Sequence, residues 1–255
     1  MTSQIIYKSP TNFFGLIVIG DEILNGRRID RHFEGIGKLI RSQGYKLKWF
    51  NVFPDDPLYL VSKLKISMAE DLPVFVCGGI GATPDDHTRE CAAKAASVPL
   101  IRHPEAVLEI EKQFGDGAYP RRICMAELPK GCDLIPNDYN RIPGFSLNNH
   151  YFLPGFPKMA SSMARWVLNQ YYPKRPLEVQ KSVWIESVTE TALLGLMDDL
   201  SKKFPEHKLF CLPRLGDIPK VELGYRGSAD IEKPFRFLIE RLNKDGYKFE
   251  ENTAN

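Results

Sequence analysis

The chain has 255 residues, 43% of them hydrophobic and 26% charged, with a formal net charge of +2. That composition is ordinary for a globular protein, and the length is enough to bury a core without staples. The near-neutral charge gives no electrostatic reason to expect nucleic acid or an anionic membrane as partner. The five cysteines, Cys77, Cys91, Cys124, Cys132 and Cys211, are odd in number and none stand at CxxC spacing. Neither a disulfide framework nor a zinc site is expected from them. The opening stretch MTSQIIYKSPTNFF has no basic segment leading into an apolar one. No apolar run approaches the ~20 residues of a membrane-spanning helix. A soluble, cytoplasmic protein is the expectation.

Residues 13–19 (FFGLIVI) form a continuous apolar run that stops at Gly20-Asp21-Glu22. This is the pattern of a strand buried on both faces in a parallel sheet. Over 30–43, Phe33, Ile36, Leu39 and Ile40 recur at helical spacing, with Gly44 as terminator. Residues 45–53 predict a second strand, ending at Pro54-Asp55-Asp56. A second helix follows over 57–69, through Leu60, Leu64 and Met68. Residues 72–77 (LPVFVC) predict a third strand, which runs into Gly78-Gly79-Ile80-Gly81, and Asp86 to Ala96 a third helix. This βαβαβα order predicts a three-layer α/β/α fold with a mostly parallel sheet.

A helix over 103–114 has Pro104 suited to its first turn. The stretch 129–157 is rich in Pro, Gly and Asn and reads as short strands joined by functional loops. An amphipathic helix from Pro157 to about Tyr171 completes a first domain, 1–173. After Pro173-Lys174-Arg175-Pro176, the pattern predicts strands over 178–187, 207–213 and 217–225 and helices over 190–203 and 230–244. That order suits a small α+β module, 177–255.

Each of the first three strands ends in an acidic corner: Asp21-Glu22, Asp55-Asp56 and Asp85-Asp86. In a parallel sheet all three corners fall on the carboxyl edge, where open α/β sheets bind ligands. Carboxylates so gathered repel unless a proton, a cationic side chain or a divalent cation offsets them. Magnesium held by one or two carboxylates and a phosphate fits that need, with Asp21, Asp55 and Asp86 as candidate metal ligands. The bland alternative is helix capping. The loop Gly78-Gly79-Ile80-Gly81-Ala82-Thr83-Pro84 precedes a helix, so its backbone N–H groups can approach an anion closely. Gly78, Gly79, Gly81, Thr83 and Thr88 are candidate phosphate-binding residues, with Gly20 at the first corner and Gly155 and Lys158 at a later helix start. Arg89 offers a charged fork for phosphate or carboxylate. His32 and His87 are candidates to line the same rim. No dinucleotide fingerprint follows the first strand, and no Gly-Lys-Ser/Thr marks a P-loop.

The string Gly78-Gly79-Ile80-Gly81-Ala82-Thr83-Pro84-Asp85-Asp86-His87-Thr88-Arg89-Glu90 resembles the signature of the N-terminal domain of competence/damage-inducible protein A (CinA). The MoaB, Mog and gephyrin-type molybdopterin-binding domains carry a looser version. Gly20-Asp21-Glu22-Ile23-Leu24-Asn25-Gly26, Arg141-Ile142-Pro143-Gly144-Phe145 and Leu153-Pro154-Gly155-Phe156-Pro157-Lys158-Met159 resemble further motifs of the family, in its order and spacing. His32 stands where relatives usually carry Asn, Ala82 where Pro is commoner, and Lys158 where Glu is commoner. The resemblance implies a molybdopterin-binding-type domain followed by a small module, and a homo-oligomer. It also implies that the further amidase domain of CinA, with its nicotinamide-nucleotide deamidation, is absent. By motif position it implies Asp55 and Asp86 as the catalytic and metal-associated acids. Three functions follow as expectations: a pyrophosphatase acting on ADP-ribose or FAD with magnesium or cobalt, a molybdopterin-binding protein of molybdenum-cofactor metabolism, or a non-catalytic ligand-binding regulator.

Overall fold

The computed structural model describes residues 11–214, 216, 219–227 and 229–252. The opening residues 1–10 and Asp217 and Ile218 of the expected strand 217–225 lie outside the described residues. The chain divides into two compact units, Met1–Arg175 and Pro176–Asn255.

In the first unit the elements run β1 (Phe13–Ile19), α1 (Asp21–Leu24), α2 (His32–Ser42), β2 (Lys46–Phe53), α3 (Pro57–Met68), β3 (Val74–Cys77), α4 (Thr88–Ala95), β4 (Leu100–Arg102), α5 (Pro104–Phe114), β5 (Glu127–Pro129), β6 (Asp133–Ile135), β7 (Gly144–Leu147), β8 (His150–Leu153) and α6 (Pro157–Tyr171). Two 3-10 turns, Gly115–Ala118 and Arg122–Ala126, join α5 to β5. The six-stranded sheet has the order β2-β1-β3-β8-β7-β6. β2, β1, β3 and β8 are parallel, and β7 and β6 complete the sheet by antiparallel pairing. β4 and β5 form a separate antiparallel pair.

The apolar run of β1 is continuous because both faces are covered. Ile17 and Ile19 pack with Leu60 and Leu64 of α3, Ala92 of α4 and Ile110 of α5. Phe14, Leu16 and Val18 point the other way, onto Ile36 and Ile40 of α2 and Met163 and Val167 of α6. β3 divides the same way, with Val74 and Val76 on one face and Phe75 and Cys77 on the other. Each such fully buried aliphatic side chain contributes about 1.5–3 kcal/mol through the water it sheds. Because β1, β2, β3 and β8 are parallel, the helix that follows each of them starts at the carboxyl edge of the sheet.

His150 opens β8 and is fully buried. Its Nδ1 lies 2.9 Å from the Asn148 carbonyl and its Nε2 2.8 Å from Ser67 Oγ. A carbonyl can only accept, so Nδ1 carries the hydrogen, and because burial disfavours the charged ring Nε2 stays unprotonated and accepts from the serine hydroxyl. The ring is thus a neutral core group between β8 and α3.

The second unit runs β9 (Val179–Glu186), a 3-10 turn (Glu190–Leu193), α7 (Leu194–Lys203), β10 (Lys208–Arg214), β11 (Lys220–Gly227), α8 (Glu232–Lys244) and β12 (Phe249–Glu251). Its antiparallel sheet, in the order β10-β11-β9-β12, packs Val183, Ile185, Val221 and Leu223 against Leu196 and Leu200 of α7 and Leu238 and Leu242 of α8. Among the described residues, no helix is long and apolar enough to cross a membrane.

Candidate functional site

The ends of β1, β2, β3 and β8 are laced together at the carboxyl edge. The Gly20 N–H donates to the Phe53 carbonyl at 3.1 Å, and the Gly78 N–H to the Leu153 carbonyl at 3.0 Å. Gly78 has φ +111, and a Cβ there would stand 2.4 Å from the Ile19 carbonyl oxygen. Gly79 has φ +68, and its Cβ would stand 2.2 Å from Thr88 Oγ1. Both positions combine a left-handed backbone with contact too close for any side chain, so the bend needs glycine. Gly155, at the start of α6, lies against it: its Cβ would be 3.5 Å from Gly78 Cα. Lys158 is exposed on the first turn of α6.

The acidic corners meet in part. The Asp21 N–H donates to Asp55 Oδ2 at 2.9 Å, and the Asp55 N–H returns to Asp21 Oδ1 at 3.4 Å. Burial raises the Asp55 carboxyl above the usual carboxylate range, and the charges of Asp21, Glu22 and Asp85 push it the same way, against the Asp21 N–H. Members of all three corners therefore lie within electrostatic reach of Asp55. Their neighbours behave otherwise. Asp56 caps α3, accepting the Tyr59 N–H at 2.8 Å. Asp86 accepts the Thr83 N–H at 2.8 Å and the Thr83 hydroxyl, and lies across Gly81. The structure brings Asp21 and Asp55 together and engages Asp86 within its own turn. Among the described residues no group of three or more His, Cys, Asp or Glu is arranged to hold a metal ion.

Thr88, the first residue of α4, is 1% exposed. Its N–H donates to the Gly79 carbonyl at 3.0 Å, yet its Oγ1 has no hydrogen-bond partner among the described residues. A buried hydroxyl left unpaired costs about 1–3 kcal/mol. It lies directly beneath the glycine bend, at a helix N-terminus carrying partial positive charge.

Arg89 corrects an expectation. It is buried, and its guanidinium bridges the carbonyls of Gly81 (2.8 Å), Cys124 and Glu127 (3.4 Å). All of these partners are backbone, so the two terminal nitrogens clamp the glycine loop to the segment before β5, while Nε is buried without a partner among the described residues. Two of its partners, Cys124 and Glu127, lie 35 and 38 positions along the chain, beyond any local pattern. Arg89→Met is expected to cost about 2 kcal/mol, because it leaves buried carbonyls unpaired; urea unfolding of the variant against the parent measures this. His87 heads α4, half-buried, and makes no capping bond.

His32 is buried, at the first position of α2. Its Nδ1 lies 2.8 Å from Asp30 Oδ1, and the Asp30 carboxylate also accepts the N–H groups of His32 and Phe33 at 3.0 and 2.9 Å. Burial acts to raise the Asp30 carboxyl, but those two N–H groups and the imidazole hold it below the usual carboxylate range. Asp30 is a residue that motif reasoning passed over. Its signal was an acid just ahead of a helix start: it stands one position before the N-cap residue Arg31 and accepts the N–H groups of the first two helical residues.

A groove of about 650 Å³ lies elsewhere, between α5 and the loop before β7, lined by Glu105, Glu109, Lys112, Asn137 and Arg141 among others. None of the glycine-loop or acidic-corner residues lines it.

The two-faced sheet, with its polar side chains gathered at one edge, defines an open α/β protein of the ligand-binding kind. Residues 15–174 match the model of the probable molybdopterin binding domain, and the chain belongs to that family, with a CinA/MoaB/Mog-type domain. A CinA-like protein of Geobacter sp. (strain M21) is 30% identical over 223 residues, covering 84% of this chain and 53% of that protein. A protein of Thermoplasma acidophilum is 27% identical over 232 residues, covering 88% of this chain and 91% of its own length. The crystal structure of CinA from Thermoplasma acidophilum, a protein of unknown function, superposes with a TM-score of 0.58 at 28% identity, covering 63% of this chain and 98% of that one. The chain spans about half the length of the CinA-like relatives from Geobacter and Citrifermentans bemidjiense.

Proposed function

We propose that this chain binds a phosphorylated small molecule, a nucleotide or a pterin, across the Gly78–Gly81 bend, and that it hydrolyses a phosphoanhydride such as that of ADP-ribose or FAD. The observation that carries the reading is the buried, unpartnered Thr88 hydroxyl beneath Gly79. A phosphate oxygen is the acceptor that such a donor lacks, and the backbone around it has the conformation that lets an anion come close. Gly20, Gly81, Thr83, Gly155 and Lys158 complete the phosphate-binding surface in this proposal.

A divalent cation, magnesium or cobalt, fits the Asp21–Asp55 corner as the companion of a phosphate, since such ions take one or two carboxylates and fill the rest with phosphate oxygens and water. It would neutralise charge on the phosphates. Asp86, bonded to Thr83, keeps the loop closed around the anion. Asp55, whose carboxyl is raised by burial and by neighbouring acids, takes the proton from the attacking water. The water oxygen bonds to one phosphorus, the bridging P–O bond breaks, and two monophosphates leave. A second reading, a pterin-phosphate held without turnover, is favoured by the name of the family model. The protein works as a cytoplasmic homo-oligomer in either reading.

Thermal unfolding with ADP-ribose or FAD and magnesium tests binding. A ligand at a hundred times its Kd adds about 2.7 kcal/mol, a rise of roughly 5–10 °C for a chain of this size. Thr88→Val should erase that rise. Asp55→Asn should lower turnover by about 10²–10⁴-fold and shrink the part of the rise that depends on magnesium. No rise with any nucleotide or pterin defeats the binding reading; a rise without phosphate release leaves the pterin-type reading in place of hydrolysis.

A further inference from the structure

Another buried polar atom at the same edge has no partner among the described residues: Nε2 of His32. The residue is 4% exposed, and its Nδ1 is taken by Asp30. With Nδ1–H donated to the carboxylate, the ring cannot flip without losing that bond, so Nε2 is fixed on the opposite edge. α2 and α6 lie side by side on one face of the sheet, and their N-termini both open at its carboxyl edge. Gly35, in the first turn of α2, abuts Ser161 in the first turns of α6. The Asp30 charge acts on the thiol of Cys77, the residue just before the glycine bend. The dyad therefore sits on the α2–α6 side of Gly78, while Thr88 opens α4 on the other side of the sheet.

We propose that His32, as the imidazolium with Nδ1–H on Asp30, donates Nε2–H to the second phosphate of a diphosphate that straddles the Gly78–Gly79 bend, with Thr88 holding the first; this rests on the phosphate-binding reading above. A single phosphate supplies an acceptor on the Thr88 side of the bend; a second, linked phosphate is what would supply one to the His32 ring on the other side. Asp30 is a positioning residue, which fixes the direction of the ring.

Calorimetric titration with inorganic pyrophosphate and with orthophosphate, magnesium present throughout, tests this. The parent protein should bind pyrophosphate at least tenfold more tightly than orthophosphate. H32N keeps a polar atom near the Nδ1 position and lacks one at Nε2; it should lose that preference while its orthophosphate affinity stays unchanged. H32Q reaches the Nε2 position and should keep most of the preference. A merely structural histidine gives the reverse order, because H32N preserves the Asp30 contact. T88V should weaken both anions. If T88V weakens both while H32N and H32Q match the parent, or H32N outperforms H32Q, the His32 proposal fails and the phosphate reading stands. If neither anion binds the parent, or T88V changes nothing, both fail. Should H32N not fold, Asp30→Asn decides: an unchanged pyrophosphate preference there overturns the proposal.

Discussion

Gly78→Ala is expected to lower the stability of the first unit by about 4 kcal/mol, the sum of two costs. An L residue held in the left-handed region stores about 1–3 kcal/mol. A Cβ forced to 2.4 Å from the Ile19 carbonyl oxygen adds an overpacking cost of about 1–3 kcal/mol. The backbone cannot relax freely, because the Gly78 N–H is bonded to Leu153 and β1 is locked between β2 and β3. The midpoint should fall by roughly 8–16 °C. Gly131→Ala is the control. It has φ +84 but open space around it, so it should cost only about 1–2 kcal/mol. Equal losses in the two variants, measured by urea unfolding, would refute the close-approach account of the bend.

The second large effect concerns acid. Burial holds the His150 imidazole down to about 4 against 6.5 for an ordinary one, outweighing the Asn148 carbonyl and the Glu70 charge, which act to raise it. The folded-state value is depressed, so above pH 6.5 the ring is neutral in both states and costs nothing. As the pH falls from 6.5 towards 4, the unfolded chain takes up a proton that the folded chain refuses, and stability drains away. The loss reaches about 3 kcal/mol near pH 4 and then levels off. Unfolding free energies measured across that window should slope for the parent protein and flatten for His150→Gln, after the slope shared by both is subtracted. Identical pH profiles would mean that His150 is not held neutral.

The fold was legible wherever one local pattern was enough. The run FFGLIVI announced a strand covered on both faces, and the structure covers β1 on both. The triple glycine followed by Thr-Pro-Asp-Asp announced a bend at the mouth of a helix, and the bend requires glycine at Gly78 and Gly79 for reasons of space that no sequence states. What was not legible depended on distant partners. β4 and β12 are three residues each, and each exists through pairing, with β5 and β9 respectively. Asp21 and Glu22 looked like a turn, yet they open a four-residue helix. Asp55 and Asp56 are adjacent and chemically identical; one meets Asp21 across the sheet edge and the other caps α3. Arg89 looked like a ligand-binding fork until its carbonyl partners, Cys124 and Glu127, came beside it. His32 was read as a rim residue; its tie to Asp30 is local, two positions away at the start of α2, whereas its burial could not be read from its neighbours in sequence.

The position of β8 carries a consequence for how the protein is made. β3 pairs with β1 on one side and with β8 on the other, and the ribosome delivers Cys77 long before His150. At ordinary rates of synthesis the outer hydrogen-bonding groups of β3 wait roughly 4–15 s for their mate. An apolar strand left open for that time invites pairing with a neighbouring nascent chain. Until the β7–β8 hairpin has emerged, β3 is an edge that the finished sheet does not have.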